Sequence, residues 1–419
     1  MRHHIQKNRR YLLLAVLALP LLCPLSLSAQ SGTHNYISEK AYTQPNEASF
    51  NQTISYYDGL GRPEETVMKG AWISAGSVSG DVVGLRTYDA SGRPSRTYLP
   101  VGINGNGSYA GETTVTTAGT NLYSDAAPFS EVHYDGSPLD RVRSEWGAGS
   151  AWRTAGKARE YGYCVNDSNQ PKYHLIKLVT TYSGNAEAVV HKSGSYASGD
   201  LQISETTDED GRSLLTFTDA FGQTVLERRL LGETDYADTY YCYDASGRLV
   251  SAFPPELSAW LTGVYGMTFT LSSVPQLRQH GYFYRYDNKG QLIAKKLPGA
   301  EWIYYVYDKG GRLVYSQDGN QRLRGEWSFA LSDRQGRPCL TGTKEKDLSP
   351  FTDPLGDVQV FVQRNDPSTD MRDYGYLPVN FDLSDADILT VSWYDDYAFL
   401  GNMDGIPSAA PRRARRASM

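Results

Sequence analysis

The chain has 419 residues, enough for two or three domains, with 40% hydrophobic and 21% charged side chains. Tyr alone supplies 31 residues, and the 40 Gly and 20 Pro follow no collagen-like period, so neither a fibrous chain nor a charged disordered one fits. The net charge of −6 disfavours nucleic acid as a partner, and short Tyr-rich stretches predict an all-β fold.

Residues 1–29 read as a secretory signal peptide. Arg2, Lys7, Arg9 and Arg10 form a basic start, Tyr11 to Leu22 is apolar apart from Pro20, and Ser26-Leu27-Ser28-Ala29 precedes Gln30. The apolar run falls short of the ~20 residues of a spanning helix, and no later run approaches that length. No transmembrane span is therefore expected after signal removal. Cys23 lacks the small preceding residue that a lipidated Cys needs, since Leu22 stands there. Cleavage removes four bases and no acid, moving the net charge from −6 to −10. The expected location is outside the cell or on its surface.

Beyond the signal, residues 30–115 read as an N-terminal β-rich domain, and 116–200 as a β-rich segment without assignment. Residues 201–345 read as a repeat sheet, and 346–419 as an irregular segment ending in the basic tail Arg412-Arg413-Ala414-Arg415-Arg416. The repeat is Asp-x-x-Gly-Arg. It stands at Asp58, Gly61 and Arg62; at Asp89, Gly92 and Arg93; and at Asp208, Gly211 and Arg212. It returns at Asp244, Gly247 and Arg248; at Asp308, Gly311 and Arg312; and at Asp333, Gly336 and Arg337. Asp219 with Gly222 and Asp287 with Gly290 are variants with Gln after the Gly. From Asp208 onward the spacings are 11, 25, 43, 21 and 25, so one degenerate unit is expected between Asp244 and Asp287.

Such a pattern suits a hairpin turn. Asp favours the first position of a type I turn, and Gly three residues on supplies the left-handed conformation that closes a three-residue loop with a bulge. In that register Asp244 faces Arg248 and Tyr243 faces Leu249. Tyr241, Tyr243 and Leu249 then share one face, with Cys242, Asp244, Arg248 and Val250 on the other. Tyr284-Arg285-Tyr286 with Leu292 and Tyr305-Val306-Tyr307 with Leu313 fit the same frame. A lone hairpin is marginal, so the units must lie side by side.

Tyr-Asp-x-x-Gly-Arg-Leu at such spacing resembles the Rhs or YD-repeat proteins. The opening, Asn35-Tyr36-Ile37 through Tyr56-Tyr57-Asp58-Gly59-Leu60-Gly61-Arg62-Pro63, resembles the N-terminal domain of unknown function of exported Bacteroidetes members. The resemblance is specific over about 201–345. It implies antiparallel hairpin repeats forming a curved sheet or partial shell, which in bacterial members encloses a C-terminal toxin. No counterpart of the closing core segment or toxin is recognised. Tyr394-Asp395-Asp396-Tyr397 opens like a further repeat without its Gly-Arg, so the resemblance implies a truncated member.

No cofactor, metal or catalytic residue is expected. His34, His133, His174, His191 and His280 show no ligand spacing. Gly194 to Gly199 misses the spacing of a hydrolase elbow. Glu64 and Glu65 are adjacent, and strand neighbours point to opposite faces. Asp208-Glu209-Asp210-Gly211 lacks the further calcium ligands. Cys164, Cys242 and Cys339 are expected to be buried apolar residues rather than a disulfide framework. Trp72, Trp146, Trp152, Trp260, Trp302, Trp327 and Trp393 are read as packing material. The favoured reading is a non-enzymatic scaffold whose partners are other Rhs-type segments, a surface glycan or a protein. A glycan- or protein-binding module in 30–200 and a hydrolase within 116–200 are the alternatives.

Overall fold

The computed structural model describes residues 3–7, 33–43, 50–73, 79–183, 187–364 and 375–394. Strands dominate, and they pair antiparallel; the chain is all-β in architecture, with short helices. Of the expected signal peptide only His3–Lys7 is described, as a strand paired with Ile37–Ala41. The rest of 1–29 lies outside the described residues, as do Asp395, Asp396 and the basic tail. Two compact units form, Met1–Tyr163 with Ser204–Leu214, and Cys164–Ile203 with Leu215–Met419.

In the first unit Asn35–Tyr42, Phe50–Tyr57, Pro63–Ile73 and Ser79–Tyr88 pair in sequence order. The last of these forks. Asp81–Val83 pairs with Val101–Ile103, whereas Arg86–Tyr88 pairs with Pro94–Tyr98. From there the meander continues through Phe129–Tyr134 and Val142–Trp146 to Arg159 and Glu160. Ile54, Tyr56, Val67, Val83, Leu85, Val101 and Val115 make the core. Val115 belongs to a helix, Glu112–Tyr123, which crosses the boundary expected at 115/116. Its Thr-rich sequence has little intrinsic helix preference, so packing holds it. Gly119 sits so close to the sheet that an added Cβ would lie 3.3 Å from Pro128 and 3.5 Å from Val101.

Residues 116–200 also contain a repeat turn that the motif search does not reach. The N–H of Asp135 donates to the carbonyl of Arg141 at 2.9 Å, as Asp does to Arg in the regular turns. Two extra residues lengthen this loop, and Asp140, at φ +51°, stands where Gly is expected. Asp tolerates the left-handed region better than most residues.

The second unit is built on consecutive hairpins. Thr224–Leu230, Tyr236–Tyr243, Leu249–Phe253, Tyr282–Tyr286 and Leu292–Lys296 pair in order. Ile303–Tyr307, Leu313–Gln317, Glu326–Ser332, Pro338–Glu345 and Ala386–Val391 continue the series. The four hairpins closed by the turns at Asp244, Asp287, Asp308 and Asp333 each have a bulge beyond the turn. Cys242 faces Ser251 while Tyr243 faces Leu249, leaving Val250 as the extra residue; Ile293, Val314 and Cys339 are extra in the same way. A bulge sets two successive side chains towards one face. Val250-Ser251, Ile293-Ala294, Val314-Tyr315 and Cys339-Leu340 are accordingly all buried, which strict alternation does not produce. The core lies on the side of Cys242 and Val250, and Tyr241, Tyr243 and Leu249 are half-buried on the other.

A second layer covers that core. The three-stranded sheet of Ile176–Ser183, Glu187–Ser195 and Thr268–Thr270 packs through Leu178, Ala188, Val190 and Phe269 onto Phe217, Leu226, Cys242 and Val250. The degenerate repeat expected between Asp244 and Asp287 is absent. Leu249–Phe253 pairs directly with Tyr282–Tyr286, and the intervening chain forms a helix, Pro255–Gly263, the strand Thr268–Thr270, and a second helix, Pro275–His280. Pro254-Pro255 ends the strand and Pro suits a first helical turn, so the long spacing is an insertion. Residues 346–394, expected to be irregular, contain a hairpin, Phe361–Arg364 with Tyr376–Val379, whose Val362 and Tyr376 cover Leu331 and Leu340. Cys242 and Cys339 are buried, but Cys164 is exposed, against expectation.

Arg228 joins the layers. It is 4% exposed, donates to both oxygens of Asp238 at 2.8 and 2.7 Å, and reaches the carbonyls of Pro171, Lys172 and His174 at 2.9–3.1 Å. Removing one partner of a buried pair costs several kcal/mol because the other is stranded. Asp238→Ala is expected to destabilise the second unit by about 3 kcal/mol, read as a lower urea midpoint; an unchanged midpoint contradicts this role.

Candidate functional site

Chemically distinctive residues concentrate at the hairpin turns. In all eight regular turns the Asp N–H donates to the carbonyl of the Arg or Gln at 2.9–3.0 Å, and the Gly N–H returns to the Asp carbonyl at 2.9–3.1 Å. The eight glycines have φ between 77° and 84°, where a Cβ is strained. One carboxylate oxygen, Oδ1, accepts the N–H four residues on at 2.8–2.9 Å. The other, Oδ2, holds the guanidinium of Arg62, Arg93, Arg248, Arg312 and Arg337 at 2.6–3.0 Å. Arg212 does not follow, turning instead towards Asp210 at 3.7 Å.

These turns are linked to one another. Arg62 lies over Tyr88, Arg93 over Tyr134, Arg248 over Tyr286 and Arg337 over Tyr394, at 4.2–4.9 Å from the ring centres. Each of these tyrosines belongs to the following repeat. Its hydroxyl donates back to the residue just after the preceding Arg or Gln: Tyr88 to Pro63, Tyr134 to Pro94, Tyr243 to Thr224, Tyr286 to Leu249, Tyr307 to Leu292 and Tyr394 to Pro338. Between the hairpins from Leu249 to Ser332 the ladder is short, as with Ser251 and Ala252 against Phe283 and Tyr282. The hydroxyl supplies a partner where the ladder has ended. Tyr394 thus occupies a repeat position although the rest of its turn is outside the described residues. Ser332 stands where Tyr is expected, and Leu313 is left 40% exposed.

Electrostatics follow from the same bonds. The carboxyls of Asp58, Asp89 and Asp208 are held below the ordinary aspartate range, chiefly by the N–H of the Arg four residues on. At Asp244, Asp308 and Asp333 burial opposes ionisation, yet the amide and guanidinium bonds outweigh it. Depressed carboxyl values stabilise the folded chain above the unfolded value of 3.8, and that contribution fades as pH falls through the folded values.

A second concentration lies in the first unit. Glu65 is 1% exposed and Asp81 is 2% exposed. Glu65 accepts the N–H groups of Ala110 and Gly111 at 2.8 and 3.0 Å, and Asp81 those of Gly70 and Gly107 at 2.9 and 2.6 Å. Burial pushes the Glu65 carboxyl up, against those bonds. Glu64 accepts from the Tyr109 hydroxyl at 2.8 Å. The adjacent glutamates therefore reach one segment, 109–111, because Glu64 is a bulge residue, and the expected opposite facing does not hold. Both serve to pin that segment. A groove of about 490 Å³ beside them includes Glu64, Gly84, Arg86, Leu99 and Pro100, with no second carboxylate.

Within 116–200, His174 Nε2 lies 3.2 Å from Ser195 Oγ. Both are exposed, and no carboxylate bonds the His174 ring among the described residues, so the third member of a catalytic arrangement is missing. No group of three His, Cys, Asp or Glu among the described residues could hold a metal ion. Trp327 and Trp302 are buried, whereas Trp152 is 44% exposed. The inter-repeat hydroxyl bonds, the bulge residue beyond the turn and the buried Glu65 and Asp81 escaped sequence reasoning; the one available signal was Tyr directly before five of the eight repeat Asp residues.

Residues 30–165 match the family described as "Domain of unknown function (DUF6443)". No curated protein matches. Among solved structures, that of TcdB2-TccC3-TEV is similar with a TM-score of 0.48 and 15% identity over 79% of this chain. TcdB2-TccC3 and TcdB2-TccC3-Cdc42 give the same TM-score and identity over 75%. This chain spans 14% of the length of those chains.

Tyr286→Phe is expected to cost about 1 kcal/mol by leaving the Leu249 carbonyl without its donor, whereas Ser332→Tyr is expected to add roughly 0.5–1 kcal/mol by supplying the missing one. Urea denaturation of both variants reads the signs, and equal effects would refute the linkage. Thermal stability should also decline as pH drops below about 4. A melting temperature that is flat or rising through that range contradicts the turn carboxylates' role.

Proposed function

We propose that the chain is an exported, non-enzymatic scaffold of the Rhs-like repeat type, forming part of a shell. The observation that carries this reading is the use of the turn residues: the repeat Asp, Gly and, in most turns, Arg are spent on closing one hairpin and joining it to the next. Each unit buries its own core, which suits a load-bearing framework. The family match begins at residue 30, directly after the expected cleavage point, and no described helix is long and apolar enough to cross a membrane. The acidic body disfavours nucleic acid, leaving other Rhs-type segments, a surface glycan or a protein as partners.

A second reading rests on one observation. Tyr241, Tyr243, Tyr284, Tyr305 and Tyr307 stand half-buried on the sheet face away from the core, where rings could stack on sugars. The mature chain on a glycan array, together with N-terminal sequencing of exported protein, separates these readings. The scaffold reading expects no retained glycan and a start at Gln30. Glycan retention abolished by Tyr305→Ala transfers the assignment to a glycan-binding repeat face, and a start at Met1 overturns cleavage of the signal.

A further inference from the structure

The segment pinned by the buried carboxylates of the first unit contains the chain's two Asn-Gly pairs, Asn104-Gly105 and Asn106-Gly107. In such a pair the glycine nitrogen gives up its proton and attacks the Asn Cγ. The new C–N bond displaces the side-chain nitrogen as ammonia, and water then opens the five-membered imide at either carbonyl. Aspartate or isoaspartate results, without oxidation or reduction. Glycine favours the attack because no side chain hinders it. Sequence alone therefore makes the two pairs equivalent.

Tertiary structure separates them. Gly107 is buried, and its N–H donates to Asp81 Oδ2 at 2.6 Å. Its carbonyl accepts from the Tyr56 hydroxyl, and the Asn106 side-chain oxygen accepts from Ser108 Oγ at 2.6 Å. The nitrogen is thus aimed at Asp81 and away from the Asn106 side chain. Asn104 and Gly105 are exposed, and among the described residues the Gly105 N–H meets no acceptor. We propose that Asn104 is a site of spontaneous conversion to aspartate and isoaspartate, and that Asp81 protects Asn106 from the same reaction. The product adds a negative charge beside Gly105, where a Cβ would lie 2.6 Å from Asp81 Oδ2, and so opposes the hold of Asp81 on the segment.

Peptide mapping by mass spectrometry, with electron-transfer fragmentation to distinguish the isomers, tests this on the full chain aged in warm, mildly alkaline buffer. A synthetic peptide spanning residues 101–109 gives the unfolded reference, and an Asn104→Gln chain identifies the Asn104 product. The ratio of Asn104 to Asn106 conversion should exceed that of the peptide by about tenfold or more, since the Gly107 bond to a charged carboxylate must break first. A ratio equal to the peptide's, or conversion led by Asn106, overturns the proposal.

Discussion

The repeat carboxylate is the interaction on which the rest depends. One oxygen of each Asp takes the backbone N–H that completes the turn, and at five turns the other holds the Arg that follows Gly. At four of these that Arg lies over the ring of a following tyrosine. The tyrosine hydroxyl in turn reaches back to the preceding strand. Local closure and assembly are therefore one chain of contacts, each positioned by the one before. Deviations stay local: Gln223 and Gln291 lie beside the next glycine, within 2.9 and 3.1 Å of a Cβ built there, and need no ion pair.

The bulge beyond each turn has a different consequence. By turning two neighbours inward it widens the apolar face, and that face demands a cover. The second unit meets the demand from its own sequence, with residues 176–183, 187–195 and the 254–281 insertion over one stretch and residues 358–362 with Tyr376 over another. Such coverage explains why a repeat sheet is accompanied by sequence that shows no repeat. The Tyr face needs no cover because each ring is already half-sheltered by the adjacent hairpin.

In the first unit, buried Glu65 and Asp81 have no basic partner within ion-pair distance among the described residues. Backbone N–H groups satisfy them, an arrangement that fixes a segment in place and leaves little free chemistry. Together with the engaged turn residues, this is in keeping with the framework proposed above, while the half-exposed tyrosines tie the binding alternative to a defined surface.

What the linear chain determined by itself was local. A turn closed within five residues depends on one carboxylate and one residue free to adopt positive φ, so Asp58 or Asp244 can be read without knowing its neighbours. The all-β class follows similarly from alternation beside those turns. Contacts between distant segments decided the remainder. The Thr-rich helix 112–123 exists because the sheet packs against it, the insertion at 254–281 took its form from the layer it joins, and Glu64 and Glu65 turned towards one segment because a bulge rotated them together. None of these leaves a periodic mark, since the energy that selects them comes from surfaces that meet only after folding.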